Sequence, residues 1–245
     1  MSPPRQLLLD PLSLSYIGLS LGGLCLLVVL TANPATSRVT FPLQALATGL
    51  IFTLICLLGI PLGVFPSRCA RAFHFRARKK EVDTTDSGTA QGAAVAFRGH
   101  HPACNHFAAH VVQIGAVTYC AGCVGLVTGA VISLVGCVAY FFLRVSIGAA
   151  GWYVLGIGVG GVVGGVLQYH LFRGCSGVIH CLVNVGFVVG AFLLLVAVNA
   201  LRSNFALEVY LCALMVFWIL TRIALSQREH TRICAACGIP SCGYR

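Results

Sequence analysis

Charge is what this chain has least of: 9% of its 245 residues are Asp, Glu, Lys or Arg, against 58% hydrophobic ones. A soluble domain carries about 25% charged residues, so the composition excludes that class and leaves a protein that crosses a membrane several times. The long apolar runs also lack an ionisable side chain near their middle. Gln168, His170, His180 and Asn184 fall toward one set of span ends, and Glu208 lies near the opposite end of its own span. Proton and ion coupling normally use such groups at mid-membrane depth. Their absence argues against coupling and leaves transport of a small neutral or apolar solute open. Catalytic signatures are missing too: there is no nucleophile elbow, no phosphate-binding glycine loop and no H-E-x-x-H helix. An enzymatic role, an intramembrane protease above all, has no motif to rest on. The basic residues are not interleaved with aromatics as a stacking platform requires, so no nucleic-acid partner is expected.

What is present is apolar length. Spanning a bilayer takes about 20 apolar residues, and six stretches reach it: Leu12 to Leu30, Phe41 to Val64, Ala121 to Leu143, Ile147 to Leu171, Val178 to Ala200 and Phe205 to Leu225. The expected fold is therefore all-α, a polytopic transmembrane bundle of about six spans carrying a small cytoplasmic Cys/His element. The first run follows Arg5 and ends near Thr31-Ala32-Asn33, as a secretory signal would. It is too long for such a signal and a second span follows closely, so it reads as a helix. Basic residues gather on the cytoplasmic side of membrane proteins. With the N-terminus inside, thirteen of the sixteen Lys and Arg fall in the cytoplasm, and only Arg38, Arg144 and Arg202 fall outside. That bias places both termini in the cytoplasm and the chain in the inner, or plasma, membrane. The net charge of +10 then belongs to one face, next to anionic headgroups of the lipid bilayer.

This topology divides the chain into an N-terminal two-helix hairpin (1–65), a basic flexible linker (66–98), a Cys/His segment (99–123), a four-helix part (121–225) and a Cys-rich cytoplasmic tail (226–245). The stretch RARKKEVDTTDSGTAQG, from Arg76, is polar and almost free of large apolar side chains, as linkers are. GHHPACNHFAAHVVQIGAVTY, from Gly99, is dense in His and β-branched residues. Val111, Val112, Ile114, Val117 and Tyr119 around Gly115 predict a short β-hairpin. A turn centred on Gly115 would set His110 opposite Cys120.

Thirteen cysteines are present. Cys25, Cys56, Cys137 and Cys212 fall mid-span, where a thiol is a small apolar packing group. The others concentrate at the cytoplasmic face. Cys104, His106, His110, Cys120 and Cys123 supply thiols and imidazoles and end in C-x-x-C, a ligand menu for tetrahedral zinc. Cys234, Cys237 and Cys242 form a second group in the tail. It is completed by His230 or shared with the first group, as in a four-thiolate centre of Cys120, Cys123, Cys234 and Cys237. His100 and His101 are alternatives to His106 or His110. The same thiolates would also hold an iron–sulfur cluster or form a dithiol redox pair. Structural disulfides would require the reverse orientation, because cytoplasmic thiols stay reduced.

Cys120-Ala121-Gly122-Cys123-Val124-Gly125, followed by Gly129, resembles a family of uncharacterised prokaryotic multi-span membrane proteins. These share a Cys- and His-containing stretch and then C-x-R-C-x-G-x-Y-x-x-G, or a close variant, entering a helix. By resemblance Cys104, Cys120, Cys123, Gly125 and Gly129 carry over. Gly122 stands where that family often has Arg, and Val127 where an aromatic is common. The resemblance implies a metal-like geometry and no particular activity.

YCAGCVGLVTGA, from Tyr119, is echoed by HCLVNVGFVVGA, from His180, which aligns Cys120 with Cys181 and Cys123 with Asn184. A parallel repeat of spans three and four in five and six would set Cys175, His180 and Cys181 at the depth of the main cluster, as secondary ligands. Gly156, Gly160 and Gly164, spaced by four, predict a close helix-packing stripe that Gly125 and Gly129 would meet, or else a homodimer seam. A closed shell of four protein ligands leaves no position for catalytic water. The expected role is therefore a scaffold or interaction module for a membrane-protein partner, stapled by structural zinc. The alternatives are a small-solute transporter with a metal-stabilised mouth, and an iron–sulfur or thiol electron carrier.

Overall fold

The computed structural model describes residues 10–33, 43–64, 96–98, 105–172 and 174–237. Six helices among them are long and apolar enough to cross a membrane. We number them α1 (Pro11–Ala32), α2 (Gln44–Val64), α3 (Ala121–Cys137), α4 (Gly151–Val166), α5 (Gly177–Arg202) and α6 (Phe205–Cys237). Each begins or ends for a local reason. Asp10 caps α1 by accepting from the Leu12 N–H, and a proline opens the helix. α3 runs on through a π turn, Val138–Phe142. α5 stops at Ser203, whose left-handed backbone turns the chain into α6.

The bundle is built around α5. α3 and α4 make their largest contacts with it, α2 lies on α3, and α1 lies on α6. Leu194, Leu195, Ala197 and Val198 of α5 are fully buried, as are Leu211 and Trp218 of α6. Glycine makes the closest approaches possible: a Cβ on Gly125 would sit 2.4 Å from the Cys181 carbonyl oxygen, and one on Gly161 would sit 2.4 Å from that of Gly186. The stripe expected at Gly156, Gly160 and Gly164 does not form this seam. A Cβ at any of the three meets nothing within 4 Å, and the helical turn instead points Gly158, Gly161 and Gly165 at α5.

Two other expectations on architecture change. α1 and α2 do not form a mutually packed N-terminal hairpin. Polar contacts tie α1 to α6 instead, with Ser20 bonded to Thr221, the Trp218 indole N–H donating to the Ser20 carbonyl and the Tyr210 hydroxyl donating to that of Gly23. Nor is 66–98 linker throughout, because β1 (Ala96–Arg98) pairs in parallel with Val117, Thr118 and Tyr119.

The β-hairpin forms from β2 (Val111–Ile114) and β3 (Val117–Cys120). Its turn is Gly115-Ala116 with positive φ at Gly115 alone, the pattern of a two-residue type II′ turn. The turn centre thus falls between two residues, and Val111, not His110, lies opposite Cys120. A 3₁₀ turn, Asn105–His110, precedes β2. Gly177 admits the hairpin onto α5, since a Cβ there would lie 1.9 Å from the Val111 carbonyl oxygen.

Candidate functional site

The start of α3, the start of α5 and the last turns of α6 meet the β-hairpin at one end of the bundle, hereafter the hairpin end. His110, Cys120, Ala121, Gly122, Gln168, Tyr169, His180, Ser226 and His230 enclose a small cavity there of about 30 Å³, open on one side. That is room for a water-sized ligand. The His110 ring stacks on His180 with centroids 5.0 Å apart, and the buried Phe107 ring packs edge-on against both His110 and His230.

Behind the cavity lies Arg222, 6% exposed. Its Nη1 donates to the Gly165 carbonyl (2.5 Å), and its Nη2 donates to Gln168 Oε1 (2.6 Å) and to Asn184 Oδ1. The guanidinium also lies over the Tyr169 and Phe187 rings, 5.2 and 5.6 Å from their centroids. No carboxylate pairs with it among the described residues, and its Nε has no hydrogen-bond partner. Two ion pairs form at this end among the described residues, Asp10 with Arg228 and Glu229 with Arg232.

This arginine sets the polarity of the whole network. A guanidinium only donates, so the oxygens of Gln168 and Asn184 must be the atoms that face it. Asn184 Nδ2 then donates to Gln168 Oε1 (3.1 Å) and to the His180 carbonyl (2.6 Å). Gln168 is left with Nε2 toward His180 Nδ1, 2.7 Å away. An amide N–H₂ needs an acceptor, so Nδ1 carries no proton and neutral His180 bears it on Nε2. That N–H has no partner among the described residues.

Zinc ligands are oriented the opposite way, with the second ring nitrogen donating outward so that the ligating nitrogen keeps its lone pair. His180 is therefore set up as a donor, not as a secondary ligand. Of the expected four-thiolate centre, the Cys237 side chain lies outside the described residues. Cys120, Cys123 and Cys234 are all described, and among the described residues no three His, Cys, Asp or Glu side chains converge to hold a metal. Cys120 ends β3 buried at the cavity wall, whereas Cys123 and Cys234 do not line the cavity. Cys120 is the N-cap of α3, and Cys123 lies in the first turn of that helix, outside the cavity lining. His106 is exposed, and Cys175 and Cys181 lie off the cavity. His100, His101, Cys104, Cys242 and the Cys237 side chain lie outside the described residues. Of the candidates whose side chains are described, His110, Cys120, His180 and His230 line this one cavity, and His106, Cys123, Cys175, Cys181 and Cys234 do not.

A second buried polar group occupies the opposite end. Glu208, fully buried near the start of α6, accepts from Gln44 Nε2 (2.8 Å), Asn199 Nδ2 (2.7 Å) and the Thr48 hydroxyl. The Tyr140 hydroxyl donates to Asn199 Oδ1 (3.1 Å). No cation pairs with Glu208 among the described residues. Sequence reading counted Arg222 as a mark of topology and set Glu208 aside as terminal. The overlooked signal is their spacing: fourteen residues on one helix return to the same face, about 21 Å along the axis.

No family model matches the chain, and neither a curated protein nor a solved structure matches it.

Proposed function

We propose that this chain moves a small polar solute across the membrane, the transporter reading, in preference to a zinc-stapled scaffold. One observation carries it: α6 holds two buried ionisable groups of opposite sign on one face, and among the described residues the hydrogen-bond partners of each are neutral. Burying an unpaired ionised group inside a membrane bundle is costly, and such groups usually mark the path of a substrate. If compactness were the only requirement, apolar side chains of the same volume would serve at lower cost. Leu211, Met215 and Trp218 separate the two charges with a buried apolar plug, so the described state is one in which the path is closed. Alternating access would shift that plug and open first one end and then the other.

The test is flux. Purified protein reconstituted into liposomes would be assayed by light scattering and tracer uptake with a panel of small anionic, neutral and cationic solutes. Wild type should carry at least one class, and Glu208→Gln and Arg222→Gln should each abolish that flux while still eluting as folded protein. Absence of flux for every class would sink the transporter reading and return the scaffold to first place.

A further inference from the structure

We infer that the hairpin-end cavity is a binding site for a small monovalent anion, a halide or the carboxylate of a small organic acid. This names the substrate class of the transport reading and rests on that reading only for movement, not for binding. Three features of the cavity converge on an acceptor ligand. His180, 3% exposed, presents an Nε2–H with no partner, and its tautomer is locked by Gln168. No side chain caps α3, and Ala121 and Gly122, which begin it, line the cavity. Their N–H groups are the positive end of a 17-residue helix with no acid in its first turn. Finally, Arg222 behind the wall supplies positive charge that no carboxylate pairs with among the described residues, where Asp10 and Glu229 are paired with Arg228 and Arg232. A cation would meet donors and like charge here. A neutral acceptor would leave the arginine without a counter-charge.

Size sets the upper limit. About 30 Å³ admits one water-sized ion or the head of a carboxylate. Phosphate or sulfate would bring more charge than a single arginine compensates and more oxygens than the cavity holds.

The experiment is a titration of full-length protein in detergent with sodium chloride, bromide or formate at ionic strength held constant with sodium sulfate, whose anion the cavity does not fit. Chloride-35 line broadening and thermal unfolding are the readouts. Wild type should show saturable binding of one anion and a rise in unfolding temperature. Tighter formate than chloride assigns an organic carboxylate, and the reverse assigns a halide. Gln168→Glu supplies Arg222 with its missing counter-charge without changing side-chain volume. It should weaken binding about tenfold or more, equivalent to at least 1.4 kcal/mol, while unfolding no earlier than wild type. His106→Ala, at an exposed position off the cavity, should bind as wild type does. Equal affinity in wild type and Gln168→Glu, or no saturable binding, would overturn the site. So would one zinc ion per chain retained on purification and lost in His180→Ala, because zinc needs the lone pair that this network has protonated. Flux of a neutral solute without anion binding would overturn the site and keep transport. Anion binding without flux would keep the site and remove transport.

Discussion

Arg222 shows how little a residue's identity says without its neighbours. In the sequence it is one of a set of basic residues near span ends; in the fold it fixes the hydrogen-bond direction of Gln168, Asn184 and His180, which lie 38 to 54 positions away. Replacing it with leucine would strand the Gly165 carbonyl and the Asn184 oxygen. Each stranded group costs about 1–3 kcal/mol, so Arg222→Leu, which strands two, should lose about 2–6 kcal/mol in reversible unfolding by denaturant in detergent. Adding Gln168→Leu and Asn184→Leu removes the stranded Asn184 oxygen, leaves the Gly165 carbonyl, and should recover about half of that loss, because apolar replacement of buried polar side chains is often neutral. A triple variant as unstable as the single one would show that the network is kept for stability. The Cys and His pattern was legible at this scale only in part. Periodicity and spacing brought His110 and Cys120 to one place, yet C-x-x-C spacing did not reveal that a strand ends at its first cysteine and that its second, in the first turn of α3, is not part of the cavity lining.

Helices and strands were read more reliably than their contacts. Apolar length alone placed all six spans, and alternating β-branched residues around Gly115 placed the hairpin to within one residue of its register. Which face of each helix meets which neighbour was not legible, because in lipid both the buried and the exposed faces are apolar. The glycines of α4 make the distinction measurable. Gly161→Ala would drive a methyl group into the Gly186 carbonyl and should cost about 1–3 kcal/mol. Gly156→Ala meets nothing and should stabilise by about 0.4–1 kcal/mol through helix propensity and lost chain entropy. Thermal unfolding of the two variants side by side separates these outcomes, and equal effects would contradict the packing of α4 on α5.

For the molecule as a whole, the basic residues and the helix ends tell a consistent story. The ends of α3, α5 and α6 that form the cavity belong to the face on which positive charge accumulates in the sequence, a face expected inside the cell. A membrane-impermeant maleimide should therefore modify Cys69 in permeabilised cells and leave it unmodified in intact ones, read by mass spectrometry of its peptide. Modification in intact cells would reverse the orientation and put the anion cavity outside. The sequence by itself determined the membrane class, the six spans and the shared end of the Cys- and His-bearing segments, because hydrophobic length and turn chemistry are local properties of the chain. Only the tertiary structure decided which of those segments touch. The bundle of six helices in place of a hairpin beside four, the burial of Arg222 and Glu208 without opposite charges, and the donor face of His180 all arise from contacts between residues far apart in the chain. Such contacts depend on which helix faces turn inward, and a uniformly apolar span leaves that choice unmarked until its neighbours are in place.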